Sequence, residues 1–173
     1  MRTITAYSDH ILTYGDRQVR CALGKAGIAF PSNQMEGDGA SPAGKFPIRC
    51  VHYRKDRVGN LETALEKRKI TPGDAWCDAP DHEKYNRRVQ LPFEASHERL
   101  WREDHVYDVI VQLGFNDDPV VPGKGSAIFF HIKRDDYRPT LGCVAISLED
   151  MLDVLKWAQP GDIFEINRSA FIR

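Results

Sequence analysis

The stretch of residues 126–147 constrains the fold more than any other part of the chain. An apolar run, 127–130, leads into His131, a polar loop follows, and Gly142 and Cys143 then open a second apolar run. Two short buried strands joined by a loop would bring the imidazole and the thiol side by side. A glycine before the cysteine lets the main chain turn tightly and keeps its N–H groups accessible. A thiol beside a base and free N–H groups has what a nucleophile needs.

Length and charge bound the class of protein. At 173 residues the chain suits a single domain, 1–173, with its own core. A net charge of −1 gives no global attraction to nucleic acid or to an anionic membrane, and neither is expected as a partner. No apolar run approaches the ~20 residues of a membrane-spanning helix. We expect a monomer.

The first 20 residues alternate between polar and apolar side chains and include Asp9 and Asp16. This pattern excludes a secretory signal peptide in that segment. As given, the chain is expected to be cytoplasmic, or exported by a route that the sequence does not reveal.

The four cysteines do not follow a zinc-binding pattern. Cys21 and Cys50 lie in strand-like runs and are expected to be small buried side chains. A disulfide between them would require an oxidising compartment, and the sequence leaves that open. A zinc site built from Cys77, Asp78, His82 and His97 fits in composition but has no recognised spacing.

Alternating polar and apolar residues predict a mainly β fold. The segments 3–7, 10–14 and 17–23 read as an antiparallel meander, and 107–114 as a central strand. One helix is expected after Ser147, whose hydroxyl would cap it, with an apolar stripe that includes Leu148, Met151 and Leu155.

Residues 52–106 show little periodicity and are predicted to form an irregular, lid-like insertion. Within it, 61–70 has apolar residues at helical spacing and is predicted to be a short helix. Trp76 and Trp101 either pack beneath this loop or line a substrate groove.

Two motifs in order give the chain a family resemblance. Residues 41–46, Ser-Pro-Ala-Gly-Lys-Phe, resemble the T-P-x-G-x-[FY] segment of the YkuD-type L,D-transpeptidases. His131 followed by 140–143, Thr-Leu-Gly-Cys, resembles that family's H-x(n)-[ST]-x-G-C signature. The resemblance extends from about residue 3 to residue 166. It implies a β-sandwich-like catalytic domain that needs no cofactor or metal and acts on peptidoglycan stem peptides or muropeptides.

The resemblance also implies roles for matching positions. Cys143 resembles the nucleophile, and His131 resembles the base that activates it. The backbone N–H groups of Leu141, Gly142 and Cys143 would form the oxyanion hole, while Thr140 would shape the turn.

Two departures from the family pattern bear on the substrate. Leu141 stands where many members carry a histidine, and Val144-Ala145 follow the cysteine where many have Arg or Asn. Substrate preference is therefore expected to differ from that of the best-known members. Guanidinium groups match carboxylate geometry, so three arginines are candidates to bind the carboxylates of a diaminopimelate-type stem. These candidates are Arg138, Arg54 and Arg57, and the candidates to line the groove are Trp76, Tyr85, Asn86 and Trp101.

Three functions fit the sequence. The first is a transpeptidase that forms cross-links in cell wall biogenesis, which would place the protein in the cell envelope. The second is an L,D-carboxypeptidase that trims tetrapeptide stems during wall recycling, which the absence of a signal peptide favours. The third is an inactive wall-binding domain, in which Cys143 would be unreactive.

Overall fold

The structure, a computed structural model, describes residues 1–172, which form 14 β-strands and two α-helices. The first strands are β1 (Thr3–Tyr7), β2 (Ile11–Tyr14), β3 (Arg17–Arg20), β4 (Ile28–Ala29), β5 (Ser41–Pro42) and β6 (Gly44–Tyr53). Next come β7 (Lys67–Lys69), β8 (Asp74–Cys77), β9 (Arg88–Gln90), β10 (His97–Arg99) and β11 (Val109–Leu113). The last are β12 (Phe129–Ile132), β13 (Val144–Ile146) and β14 (Ile163–Asn167). The helices are α1 (Lys55–Val58) and α2 (Leu148–Trp157).

Nine strands form one mixed sheet, in the order β13-β12-β11-β6-β14-β1-β2-β3 with β7 added beside β6. The pairs β12–β13, β1–β14 and β6–β7 are parallel, and the other pairs are antiparallel. The mainly β fold expected from the alternation is confirmed, as is the opening meander of β1, β2 and β3.

The long strand β6 joins the two halves of this sheet. Its first residues, 44–47, pair with β14, and its remainder pairs with β11. The far ends of the sheet then meet, because Ala22 and Ala145 exchange backbone hydrogen bonds of 2.7 and 3.0 Å. The sheet therefore curls around one main core.

Helix α2 closes this core, and its start follows the predicted capping pattern. The Ser147 hydroxyl accepts a hydrogen bond from the Asp150 N–H at 3.1 Å. The helix buries Met151, Val154 and Leu155, whereas Leu148, expected on the apolar stripe, is 40% exposed.

The insertion is more regular than the sequence predicted. Strand β8 pairs with β9 and β10 to form a three-stranded antiparallel sheet, here called the small sheet. The predicted helix over 61–70 is wrong, since β7 lies there and pairs with β6. Leu61 and Leu65 are buried in the main core from an extended chain, because sheet pairing overrides the helical spacing.

All four cysteines are free and buried. Within residues 1–172 no helix has the length and apolar character needed to cross a membrane.

Candidate active site

The histidine and the cysteine lie on one face of two neighbouring strands. Side chains alternate along β12, so Phe129 and His131 share one face while Phe130 points into the main core. Strand β13 runs parallel to β12 with His131 opposite Ala145, and Cys143 directly precedes it. Because residues two apart share a face, Cys143 lies on the same face as His131.

The thiol of Cys143 is held by two backbone groups. Its sulfur accepts a hydrogen bond from the Phe129 N–H at 3.3 Å and donates to the Ala127 carbonyl at 3.2 Å. Burial, with a further contribution from the negative charge of Glu98, raises the pKa of the thiol to about 12. The resting group is therefore a thiol rather than a thiolate.

The imidazole of His131 is neutral and fixed in one tautomer. Its Nδ1 lies 2.8 Å from the carbonyl oxygen of Ile132, which only accepts, so Nδ1 carries the proton and Nε2 is free to take one. Burial lowers the pKa of His131 to about 4. The ring of Tyr107 packs edge to face against the imidazole, with centroids 5.2 Å apart.

The turn before Cys143 is built by Thr140 and Gly142. The Thr140 hydroxyl donates to the Cys143 carbonyl at 2.6 Å and accepts from the Gly142 N–H at 3.1 Å. Gly142 has a φ of +140°, and a Cβ there would lie 2.9 Å from the Ala40 carbonyl oxygen. Only glycine fits this turn without displacing the main chain.

The side chains of Cys143 and His131 both line a cavity of about 620 Å³. Its walls mix apolar groups, including the highly exposed Leu141, with six charged side chains. The charged residues are Glu36, Asp78, Glu98, Arg102, Arg134 and Arg138. A cavity of this size and polarity suits a small peptide with charged substituents.

Of the three arginines predicted to bind substrate, Arg138 lines this cavity and the other two do not. Arg54 is buried, forms two hydrogen bonds to Asp56 at 2.7 and 2.9 Å, and stacks on Trp101 with its Cζ 3.4 Å from the ring centroid. Arg57 pairs with Asp108 at 2.8 Å. These contacts hold the insertion against the main sheet.

The other predicted groove residues also lie outside the cavity lining. Asn86 accepts hydrogen bonds from the Trp76 indole at 2.9 Å and from the Ala127 N–H at 3.1 Å. Tyr85 accepts from the Gly125 N–H at 3.0 Å and donates to Glu36. Asn86 and Tyr85 thereby hold the loop whose Ala127 carbonyl accepts a hydrogen bond from the Cys143 thiol.

Several cavity residues were not found by sequence reasoning. Tyr107 was predicted as the first residue of a strand that in the structure begins at Val109, and nothing in its spacing marks its position beside His131. Glu98 and Arg102 come from the small sheet and the segment after it, and their positions depend on pairings that periodicity did not reveal. Across residues 1–172, no three His, Cys, Asp or Glu side chains come together as metal ligands would, including those of the zinc alternative.

Comparison with known proteins extends these observations. A family model for the L,D-transpeptidase catalytic domain, YkuD, matches residues 2–166. No curated protein matches the sequence. One similar solved structure is the crystal structure of Mycobacterium tuberculosis L,D-transpeptidase 1 at 1.89 Å, with 14% identity and a TM-score of 0.39. The match covers 95% of this chain and 60% of that chain, so this chain spans about three-fifths of that protein's length.

The family match rests on almost the whole chain, including both motifs and the strands between them. The chain belongs to the YkuD family of L,D-transpeptidase catalytic domains.

Proposed function

We propose that this chain is a cysteine-dependent L,D-transpeptidase that cross-links peptidoglycan stem peptides through a thioester. Family membership supports the reaction class. The observation that carries the proposal is that the Cys143 thiol and the neutral His131 imidazole share one sheet face and open onto one cavity. A cysteine and a base in one cavity can form and break an acyl-enzyme without a cofactor.

In the first step, the thiol proton passes to Nε2 of His131 as the sulfur attacks the carbonyl carbon of the donor peptide. The Ile132 carbonyl, which accepts from Nδ1, stabilises the imidazolium that forms. Since the resting thiol donates to Ala127, its proton must turn toward the imidazole when substrate binds. The imidazolium then protonates the leaving amine as the C–N bond of the tetrahedral intermediate breaks, so that a D-amino acid departs and the thioester remains.

The negative charge on the carbonyl oxygen needs donors in this step. We assign them to the N–H groups of Leu141 and Cys143, together with that of Gly142. The Gly142 N–H donates to Thr140 at rest, so it would have to be shared with the oxyanion.

In the second step, the amine of a neighbouring stem attacks the thioester carbonyl, and His131 takes the proton that the amine loses. Collapse of the tetrahedral intermediate expels the sulfur, which regains a proton from His131. The product is a new peptide bond, and the free thiol is restored.

Hydrolysis of the same thioester is the second candidate, which would make the protein an L,D-carboxypeptidase. The six charged side chains of the cavity favour it, because they keep water near the acyl group. Water would then replace the acceptor amine, and the product would be a shortened stem.

Incubation of the purified protein with a disaccharide-tetrapeptide, followed by mass spectrometry, separates these outcomes. Cross-linked dimers are the expected product, and tripeptide without dimers would identify the carboxypeptidase. Cys143→Ala serves as the control for background cleavage. If there is no product, and a carbapenem leaves no adduct on Cys143, both enzyme assignments fail and the inactive wall-binding domain is the alternative that is left.

A further inference from the structure

The small sheet forms one wall of the cavity, where β10 contributes His97 and the acidic Glu98, and Asp78 follows directly after β8. Trp76 on β8 lies opposite Glu98 on β10, so the two side chains share a face of the small sheet. Asp78, two residues after Trp76, continues that face. Trp76 packs edge to face on Phe129, with centroids 5.0 Å apart, which directs this face toward Cys143 and His131.

Glu98 has unused capacity to accept hydrogen bonds. It accepts from the Tyr107 hydroxyl at 2.7 Å, and its side chain remains 31% exposed within the cavity. The nearest cation, Arg102, is 3.9 Å away and is held by Asp104 through two bonds of 2.7 and 2.8 Å. The charge of Glu98 is therefore only partly balanced by the protein.

Two further polar atoms on this cavity lack partners. Oδ1 of Asp78 and Oγ of Ser126 are buried and have no hydrogen-bond partner within the described part of the chain. Ser126 is 8% exposed and, like Asp78, lines the cavity. Buried acceptors without donors are costly, and a bound donor would remove that cost.

Positively charged side chains also line the cavity. Arg134 and Arg138, both from the loop between β12 and β13, line the same cavity. The cavity therefore presents both charges, with carboxylates at Glu98, Asp78 and Glu36 and guanidinium groups at Arg134, Arg138 and Arg102. This arrangement matches a group that carries both an ammonium and a carboxylate, as the distal centre of a diaminopimelate residue does.

We propose that Glu98 and Asp78 form an ammonium-binding subsite that selects stem peptides by the free amine of their diamino-acid residue. This inference rests on the proposed function and names the residues that recognise the amine. The amine belongs either to the acyl donor or to the acceptor stem, since both carry the same group. The carboxylates select the peptide through the positive charge of its amine. The Tyr107 hydroxyl continues to donate to Glu98 whether the amine belongs to the donor or to the acceptor stem.

The test is calorimetric binding of two synthetic tetrapeptides to protein carrying Cys143→Ala, which prevents turnover. One peptide contains diaminopimelate, and the other contains 2-aminopimelate, which lacks only the distal amine. We expect the amine to strengthen binding by about tenfold to a hundredfold, as for a charged hydrogen bond. Adding Glu98→Gln, which can still accept from Tyr107, should remove most of that preference, and Asp78→Asn should reduce it.

Glu94→Gln is the matched control, because Glu94 is exposed on the same segment and does not line the cavity. It should keep the full preference. The subsite would be overturned if the Glu98→Gln variant and the Cys143→Ala parent preferred the diaminopimelate peptide equally. It would also be overturned if neither peptide bound.

Turnover by the protein with Cys143 intact assigns the amine to its source. If Glu98→Gln slows hydrolysis of a single stem, the amine belongs to the donor, and if it slows only transfer, the amine belongs to the acceptor. A protein that binds with the Glu98-dependent preference but forms no product would refute the acyl-transfer function while supporting the subsite.

Discussion

Cys143 and Cys50 each have a histidine as a neighbour on the same sheet face, and the two pairs differ in what surrounds them. Cys143 and His131 line the cavity. Cys50 and His52 lie on β6, where Sγ of Cys50 is 3.4 Å from Nε2 of His52. Burial raises the pKa of both thiols and lowers the pKa of both imidazoles to about 4.

The surroundings separate the two pairs. Cys50 and His52 are each 1% exposed, and both contact the side-chain oxygen of Gln112, at 3.4 and 3.0 Å. Cys50 lies within a continuous strand, whereas Cys143 follows a glycine turn and precedes its strand. A thiol beside an imidazole is therefore not enough for a site, since the reaction also needs room for substrate and backbone donors for an oxyanion.

The largest difference is expected when each thiol is removed. Cys143→Ala should lower acyl transfer by at least about a thousandfold, because no other group forms the thioester. The Cys50→Ala variant should retain most of the acyl-transfer activity of the parent protein. Its free energy of unfolding should fall by about 1–2 kcal/mol, because a buried side chain is shortened. Turnover of a tetrapeptide and urea denaturation measure the two effects. Substantial activity in Cys143→Ala would refute its assignment as nucleophile.

Replacing each imidazole gives the next largest contrast. His131→Asn should slow turnover about a hundredfold to a thousandfold, since general base catalysis is lost. His52→Asn can still contact Gln112 and should leave the turnover rate nearly unchanged. Equal losses in the two variants would mean that His131 acts only through stability, which circular dichroism of both proteins would check.

Alkylation of the free protein compares the two thiols directly. Because the pKa of Cys143 is raised to about 12, its thiolate fraction should grow tenfold per pH unit. Iodoacetamide labelling should therefore accelerate about a hundredfold from pH 7 to pH 9, while Cys50 stays unlabelled. A rate that is constant over this range would indicate a preformed thiolate–imidazolium pair. Peptide mapping, with Cys143→Ala as the blank, identifies the labelled residue.

Apolar runs bounded by turns allowed the sequence to predict the strands around the site. Strands β11, β12 and β13 are short and apolar, His131 lies within β12, and Cys143 directly precedes β13. The positions of His131 and Cys143 on one cavity agree with the motif, because β12 and β13 pair directly and place both residues on one face.

The cavity walls were much less predictable than the reactive pair. The strands of the small sheet have three or four residues each, too few to show a period of two. Glu98 reaches the site only through pairing across β8 and β10, and Arg54 is withdrawn from it by an ion pair with Asp56. Contacts between residues far apart in the sequence do not alter the local spacing of residue types. The sequence therefore showed the number of charged residues but did not indicate which of them line the cavity.

The smallest expected effect is one that the two histidines share. Each has an ordinary pKa of 6.5, which applies when the chain is unfolded, and a pKa of about 4 in the fold. The unfolded chain therefore binds more protons between these values, and stability is full above pH 6.5 and is lost as the pH falls toward 4. Between pH 8 and pH 5, protonation of each histidine in the unfolded chain should lower the free energy of unfolding by about 2 kcal/mol.

Urea denaturation at both pH values measures this loss. His52→Asn and His131→Asn should each reduce it by a similar amount, although only the latter affects catalysis. Burial of both histidines would then explain why each lowers the free energy of unfolding at acid pH. Access to the cavity would explain why only His131 affects turnover. If only His52→Asn reduces the loss, His131 is more hydrated than its 6% exposure indicates, and the neutral base proposed for the first step would have to be revised.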